Sequence, residues 1–282
     1  MRNFVDLHCH STASDGTYPP SELIVLAERR RLAAMALTDH DTIAGLTEAA
    51  RAAEALAVRF VPGVEISANV AHGMLHVLGL GVGIHSPGLA KALEELLGAR
   101  AQRNPKMIAK LQALGLKIDM DELLAMAGGA VVGRLHMAKL LQAKGLVPDV
   151  RAAFDRFLAK GKAAYVDKER LSPAQAAQAL HDAGGVAIVA HPVTLEWDNR
   201  SALETAIRHL RHQGFDGIEV YHNLHSIQQT RTFLDLAKQL GMLVSGGSDF
   251  HGLNKDDVPI GFPRVPIKAV ETLLARIGCS TC

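Results

Sequence analysis

Short apolar runs alternate with stretches of helical periodicity along most of the chain, the pattern of βαβ units around a parallel sheet or barrel. Asn3 to His8 reads as the first strand, and a loop rich in Ser, Thr and Gly follows from Ser11 to Tyr18. Pro19-Pro20 opens a helix that runs to about Arg31. Ala34 to Leu37 is a strand that delivers Thr38-Asp39-His40-Asp41, and Thr42 to Leu56 is an Ala-rich helix. Val58 to Val64 is the next strand, interrupted by Pro62-Gly63 and ending at Glu65. His76 lies in the apolar run Leu75 to Leu80.

The rhythm changes from about Ala90 to Lys162, where the pattern is helical throughout. Asn104-Pro105 predicts an N-cap with proline at the first helical position, and Gly115 a stop. Asp121 to Met126, Gly133 to Lys144 and Asp149 to Lys160 predict further short helices. The alternation then resumes. Ser172-Pro173 caps a helix ending at Gly184-Gly185, and the strand Val186 to Ala190 ends in His191-Pro192. Ser201 with Glu204 predicts a capping box on a helix to Gly214. Gly217 to Tyr221 is a strand ending at His222, and Ser226 with Gln229 caps a helix that stops at Gly241. The strand Met242 to Ser245 ends in Gly246-Gly247-Ser248-Asp249-Phe250-His251. These elements predict one α/β fold, a parallel sheet or barrel over residues 1–98 and 163–282, with a helical insertion, residues 99–162, placed to roof one end of it.

Composition adds few constraints. The 282 residues suffice for one large core, and a hydrophobic content of 48% with 21% charged residues is ordinary for a globular protein. The net charge of +1 gives no reason to expect duplex DNA or a membrane surface as partner. Aromatics at 4% are too scarce for broad base stacking. Three cysteines make no disulfide framework. Cys9 is expected as a small buried hydrophobe behind the first strand, and Cys279 and Cys282 as an inert tail. With no apolar leader and no long apolar run, a soluble cytoplasmic protein is expected.

The histidines change the picture. His8 and His10 are two apart, so on a strand both imidazoles leave one face, and Asp15 follows five residues on. A lone His-x-His is as often two polar groups on an exposed strand. Here almost every apolar run hands over to an imidazole or carboxylate: His8 and His10, His40, Glu65, His76, His191, His222, then Asp249 with His251. In parallel sheets and barrels the strand C-termini are where sites are built, and unrelated structural histidines would not favour that end. Six histidines (His8, His10, His40, His76, His191, His251) and three carboxylates (Asp15, Glu65, Asp249) exceed the needs of one tetrahedral ion. They fit two or three divalent ions, with Glu65 or Asp249 bridging. Against three ions, three carboxylates and a hydroxide leave about two surplus positive charges, which suits a phosphate monoester dianion. Such centres promote in-line attack by a metal-bridging hydroxide. No nucleophile elbow, P-loop or dinucleotide fingerprint competes.

Six segments run in order through the chain: Asp6-Leu7-His8-Cys9-His10-Ser11 with Ser14-Asp15-Gly16; Leu37-Thr38-Asp39-His40-Asp41; Gly63-Val64-Glu65-Ile66-Ser67; His76-Val77-Leu78-Gly79; Val189-Ala190-His191-Pro192; and Gly247-Ser248-Asp249-Phe250-His251. Together they resemble the successive motifs of the PHP (polymerase and histidinol phosphatase) family. The resemblance implies a distorted (β/α)7 TIM-like barrel with a trinuclear metal centre and phosphoesterase activity. It implies that His8, His10, Glu65 and Asp249 share one ion, that Glu65, His76 and His191 hold a second, and that Asp15, His40 and His251 hold the third. Manganese is the metal expected first, with iron or zinc also compatible with such ligands.

Gly133-Arg134-Leu135-His136 and Ala164-Tyr165-Val166 further resemble a bacterial branch whose members remove the 3′-phosphate from 3′,5′-nucleoside bisphosphates and trim short 5′-phosphorylated RNA. The expected substrate is then a small nucleotide with two phosphates. The second phosphate would need cations outside the metal cluster, and Arg100, Arg103 and Arg134 are the candidates. His222 would bind phosphate or protonate the leaving group, while Glu65 and Asp249 would act at the reacting centre. His136 and His225 read as supports behind the ligands or as structural residues. Three alternatives remain open: a monoesterase for another metabolite such as histidinol phosphate, a C–N amidohydrolase, and a non-catalytic scaffold. An amidohydrolase would typically carry a bridging lysine where Glu65 stands, and a scaffold would have lost ligands.

Overall fold

Val5 and Leu7, Ala34 and Ala36, Leu78 and Leu80, and Val186, Ile188 and Ala190 alternate with period two, and all belong to one buried cluster. In the computed structural model, which describes residues 2–129, 131–167, 170–255 and 257–278, that cluster fills a barrel. The strands are β1 (Phe4–Asp6), β2 (Ala34–Leu37), β3 (Arg59–Ala68), β4 (Leu75–Leu80), β5 (Val186–Val189), β6 (Gly217–Tyr221), β7 (Leu243–Gly246) and β8 (Val265–Pro266). Their order in the sheet is β7-β6-β5-β4-β3-β2-β1-β8. Closure comes from the residues after β1 and β7. Leu7 N donates to Gly246 O at 3.1 Å, Asp249 N to His8 O at 2.9 Å and His10 N to Phe250 O at 2.9 Å. The result is the expected distorted TIM-like barrel, with the two residues of β8 laid antiparallel on β1.

The helices are α1 (Pro20–Arg29), α2 (Leu46–Ala53), α3 (Pro87–Ala113), α4 (Met120–Ala127), α5 (Arg134–Ala143), α6 (Val150–Ala153), α7 (Pro173–Asp182), α8 (Arg200–His212), α9 (Ile227–Leu240) and α10 (Glu271–Gly278). Two compact units result. One comprises residues up to Ala92 with those from Leu171 onward, and contains the barrel. The other, Leu93–Arg170, has its own core, with Met107, Leu111, Leu123, Met137, Leu141 and Leu158 fully buried in it.

Several expectations need correction. β4 runs antiparallel to both β3 and β5, so the sheet is not wholly parallel. His76 therefore sits near the start of its strand, paired with Ser67, and reaches the mouth because the strand is reversed. Glu65 lies inside β3, which outruns β2 and continues pairing through His40. The first strand is shorter than Asn3 to His8, and α2 begins four residues later than expected. Asn104 does not cap a helix: α3 runs unbroken through Pro105, while the Asn104 side chain accepts from Arg103 and donates to Val132 O. Asn199, not Ser201, caps α8 by accepting from Ala202 N at 3.0 Å, and Glu204 instead pairs with Arg208 one turn on. The Ser226–Gln229 capping box is present. Cys9 is fully buried, as expected, whereas Cys279 and Cys282 lie outside the described residues.

Closure demands a glycine beside the first ligand. A Cβ on Gly247 would fall 2.4 Å from His8 Cβ and 2.5 Å from His8 N, so no side chain fits without separating the two segments. Gly247→Ala is expected to cost about 1–3 kcal/mol, the range for overpacking a tight core, read by urea unfolding. An unchanged midpoint would show that the closure tolerates a methyl group there.

Candidate metal centre

The nine candidate ligands come from the six separate segments and meet at one end of the barrel. Glu65 is their hub. Its Oε1 lies 2.8 Å from His76 Nδ1 and 3.0 Å from His191 Nε2. Its Oε2 lies 3.0 Å from His40 Nδ1, 3.3 Å from His10 Nε2 and 3.4 Å from His8 Nε2. Asp249 presents Oδ1 to His10 Nε2 at 3.3 Å, His251 Nδ1 at 3.4 Å and His8 Nε2 at 3.5 Å. Asp15 faces His251 Nε2 at 3.3 Å and His10 Nδ1 and His40 Nε2 at 3.9 Å. Two four-residue groups have ligand atoms close enough to share one ion: His8, His10, Glu65 and Asp249, and His10, Asp15, His40 and His251. A smaller group joins His40, Glu65 and His76.

The donor chemistry fits cations. His8 Nε2, both ring nitrogens of His10, His40 Nδ1, Glu65 Oε2 and His222 Nε2 are buried with no hydrogen-bond partner. Imidazole lone pairs and carboxylate oxygens turned toward one another cannot satisfy each other, whereas a divalent ion satisfies several at once. The charges already lean toward the ionised acids. Burial opposes ionisation of Glu65, yet His40, His76 and His8 outweigh it and hold the carboxyl well below its usual range. Burial likewise opposes Asp249, where Lys255 and His251 prevail, and Asp15, where His40 and His251 do. Burial pushes His76 down to about 4, a neutral imidazole suited to ligation.

The profile of the PHP domain matches residues 6–170, more than half of the chain. A 3′,5′-nucleoside bisphosphate phosphatase of Chromobacterium violaceum is 35% identical over 258 residues, covering 91% of this chain and 90% of its own. The chain belongs to the PHP family. A 5′-3′ exoribonuclease of Haemophilus influenzae is also 35% identical, over 89% of this PHP chain and 91% of its own. Two solved structures share the fold over 96% of both chains. One, from Bifidobacterium adolescentis and provisionally described as a metal-dependent phosphoesterase, has a TM-score of 0.86 at 28% identity. The other, described as an amidohydrolase of Chromobacterium violaceum with bound sulfate and no metal, has a TM-score of 0.85 at 35% identity.

Behind the ligands stand carboxylates that the sequence left without a role. Glu219, in β6, is fully buried; its Oε1 lies 3.0 Å from His8 Nδ1 and its Oε2 accepts from His191 N at 2.7 Å. The tautomer is assigned from these partners: His8 carries its proton on Nδ1, which leaves Nε2 bare toward Glu65 and Asp249. Asp6 accepts from Ser248 N, Ser248 Oγ and Gly261 N at 2.6–2.8 Å, tying the loop after β7 to β1. Asp39 accepts from Ser11 N, Ser11 Oγ and Ser14 Oγ at 2.6–2.8 Å and fixes the loop that carries Asp15. Asp41, His191 and Asp249 hold positive φ angles of 53°, 23° and 55°, rare for side-chain-bearing residues and typical of built sites. A carboxylate in the apolar run Gly217-Ile218-Glu219-Val220-Tyr221 was the available signal for Glu219.

His222 is buried at the cluster, with Nε2 3.7 Å from Asp249 Oδ2 and Nδ1 accepting from Leu224 N at 3.1 Å. Of the arginines, Arg103 is buried and donates through Nε and Nη2 to Asn104 Oδ1. Arg134 donates to Leu158 O and lies 5.8 and 5.6 Å from the ring centres of Phe154 and Tyr165. Arg100 lies in α3, and its side chain is outside what is described. His136 accepts from Gly133 N, and His225 contacts Val220 O at 3.0 Å.

Glu219 accepts one N–H on each of its two oxygens, whereas an amide in its place would turn an NH2 donor toward one of them. Glu219→Gln is expected to weaken metal binding about tenfold to a hundredfold, by titration calorimetry on a variant with unchanged circular dichroism. Equal affinity would show that His8 and His191 need no such support.

Proposed function

We propose that this protein is a metal-dependent phosphatase that hydrolyses the 3′-phosphate of 3′,5′-nucleoside bisphosphates, adenosine 3′,5′-bisphosphate among them, to the 5′-monophosphate. It would also trim short 5′-phosphorylated RNA. The observation that carries this reading is the cup of six imidazoles and three carboxylates, in which His8 Nε2, both ring nitrogens of His10, His40 Nδ1 and Glu65 Oε2 lack hydrogen-bond partners. The phosphatase and exoribonuclease names of its relatives support it. So does the sulfate in the Chromobacterium structure, a tetrahedral dianion like phosphate.

In this reading His8, His10, Glu65 and Asp249 hold one ion, Glu65, His76 and His191 a second, and Asp15, His40 and His251 a third. Manganese is favoured, and iron(II) or zinc would also accept these donors. Bound ions would supply Lewis acidity and lower the pKa of coordinated water. The chain's own groups do the rest. Glu65 and Asp249 span neighbouring ligand groups and fix their spacing. His222 accepts a backbone N–H at Nδ1, so its proton sits on Nε2, available to the departing sugar oxygen. The second phosphate is assigned to the insertion, residues 99–162, through Arg134 foremost, with Arg100 and Arg103. Lys and Arg outnumber Asp and Glu across residues 93–170, while acids outnumber bases in the rest of the chain. That asymmetry suits an anionic substrate end. Among the described residues no helix is long and apolar enough to cross a membrane, and we assign the protein to the cytoplasm.

The amidohydrolase description of one solved neighbour makes C–N hydrolysis the second reading. Glu65 at the hub, with no lysine in its place, argues against it. The test is phosphate release in manganese from adenosine 3′,5′-bisphosphate, compared with histidinol phosphate and with amide hydrolysis. Release from the bisphosphate is expected to dominate, and preferential amide cleavage would overturn the assignment. Asp249→Asn is expected to abolish turnover with the fold intact. Arg134→Ala is expected to raise KM about tenfold for substrates with two phosphates and leave monophosphates nearly unchanged, as loss of one charge-assisted contact requires. An equal effect on both would remove Arg134 from the second phosphate.

A further inference from the structure

Asp249 divides its two oxygens. Oδ1 faces the imidazoles of His8, His10 and His251, while Oδ2 turns away from them toward Lys255 Nζ at 2.5 Å and His222 Nε2 at 3.7 Å. Among the described residues Lys255 is the one lysine or arginine paired with a candidate ligand carboxylate. Its position is built. It ends the short turn Gly252–Lys255, and that turn is docked on the loop bearing Asp15. Leu253 N donates to Thr17 Oγ1 at 2.9 Å, and Asn254 Nδ2 donates to Asp15 O at 2.5 Å. A Cβ on Gly252 would lie 2.0 Å from Thr17 Oγ1, so only glycine permits the approach.

An ammonium has three donors, and Asp249 uses one. The side chain is 39% exposed, so Lys255 stands at the rim of the cup, and two of its donors are not used by Asp249. An isolated counter-ion for Asp249 would need no clamped turn.

We propose that Lys255 is a catalytic residue of this site, binding a non-bridging oxygen of the phosphoryl group undergoing transfer. The proposal rests on the phosphatase reading and deepens it. Water adds to phosphorus, the bond from phosphorus to the sugar oxygen breaks with its electron pair on that oxygen, and a proton restores the hydroxyl. Lys255 keeps its own proton throughout and holds charge that spreads over the equatorial oxygens. Because the reacting phosphoryl group is common to all substrates, Lys255 acts on one-phosphate and two-phosphate substrates alike, unlike Arg134.

The test is calorimetric titration of inorganic phosphate into manganese-loaded wild type, Lys255→Met and Lys255→Arg, after metal content has been measured in each. Metal content is expected to be equal. Phosphate affinity should fall about tenfold in Lys255→Met and largely return in Lys255→Arg, with kcat on one-phosphate and two-phosphate substrates reduced by similar factors. Equal phosphate affinity in all three proteins overturns the assignment while leaving the phosphatase reading standing. Loss of metal in Lys255→Met also overturns it, since Lys255 would then be a prop for Asp249. No phosphate binding by loaded wild type overturns both.

Discussion

One carboxylate placed against five imidazoles sets the terms for this structure. Glu65 is fully buried, and its two oxygens lie 2.8–3.4 Å from ring nitrogens of His76, His191, His40, His10 and His8. Hydrogen bonding cannot satisfy that many partners from two oxygens, and Oε2 is left with none. Such a hub is costly unless cations enter, because buried polar atoms without partners forfeit hydration without compensation. The same cost makes the cup a receptor for divalent ions. The charge count is also preserved: Glu219 adds a negative charge to the nine groups, and Lys255 adds a positive one. With three divalent ions bound, the surplus that suits a phosphate dianion would therefore survive the addition of both.

The barrel's irregularities follow from assembling that hub. A regular parallel ring would place each ligand after a strand, but Glu65 sits within β3 and His76 at the start of the reversed β4. The reversal turns the beginning of one strand to the end where the others finish. Closure between the segments after β1 and β7 places His8 and His10 beside Asp249 and His251, with Gly247 permitting the contact and Asp6 clamping it. Positive φ angles at Asp41, His191 and Asp249 show backbone bent to aim side chains, stabilised by the surrounding hydrogen bonds.

Much of this was legible because the candidate ligands are spread over many strand ends, so each weak sign reinforced the others. The gathering of all nine at one mouth follows from period-two strands and the habit of parallel sheets to build sites at one end. What escaped has physical causes. The reversal of β4 leaves no local trace, since an apolar run of six residues reads alike in either direction. β8 pairs through only two residues. Asn104-Pro105 carries the local chemistry of a helix start, but tertiary partners claim the asparagine side chain and α3 continues. Glu219 and Lys255 went unassigned because one lies inside an apolar strand and the other in a turn beyond the last motif. Glu219 acts through His8, 211 positions away, and His191, 28 away, and Lys255 through Asp249, six away.

Cations in the cup are what the phosphatase chemistry depends on most. Metal analysis of purified protein, paired with thermal unfolding before and after chelation, tests for them most directly. About two to three divalent ions per chain are expected, with a lower Tm after chelation that resupplied manganese restores. Protein that retains no metal, takes up none when supplied and unfolds at the same temperature throughout would contradict the account.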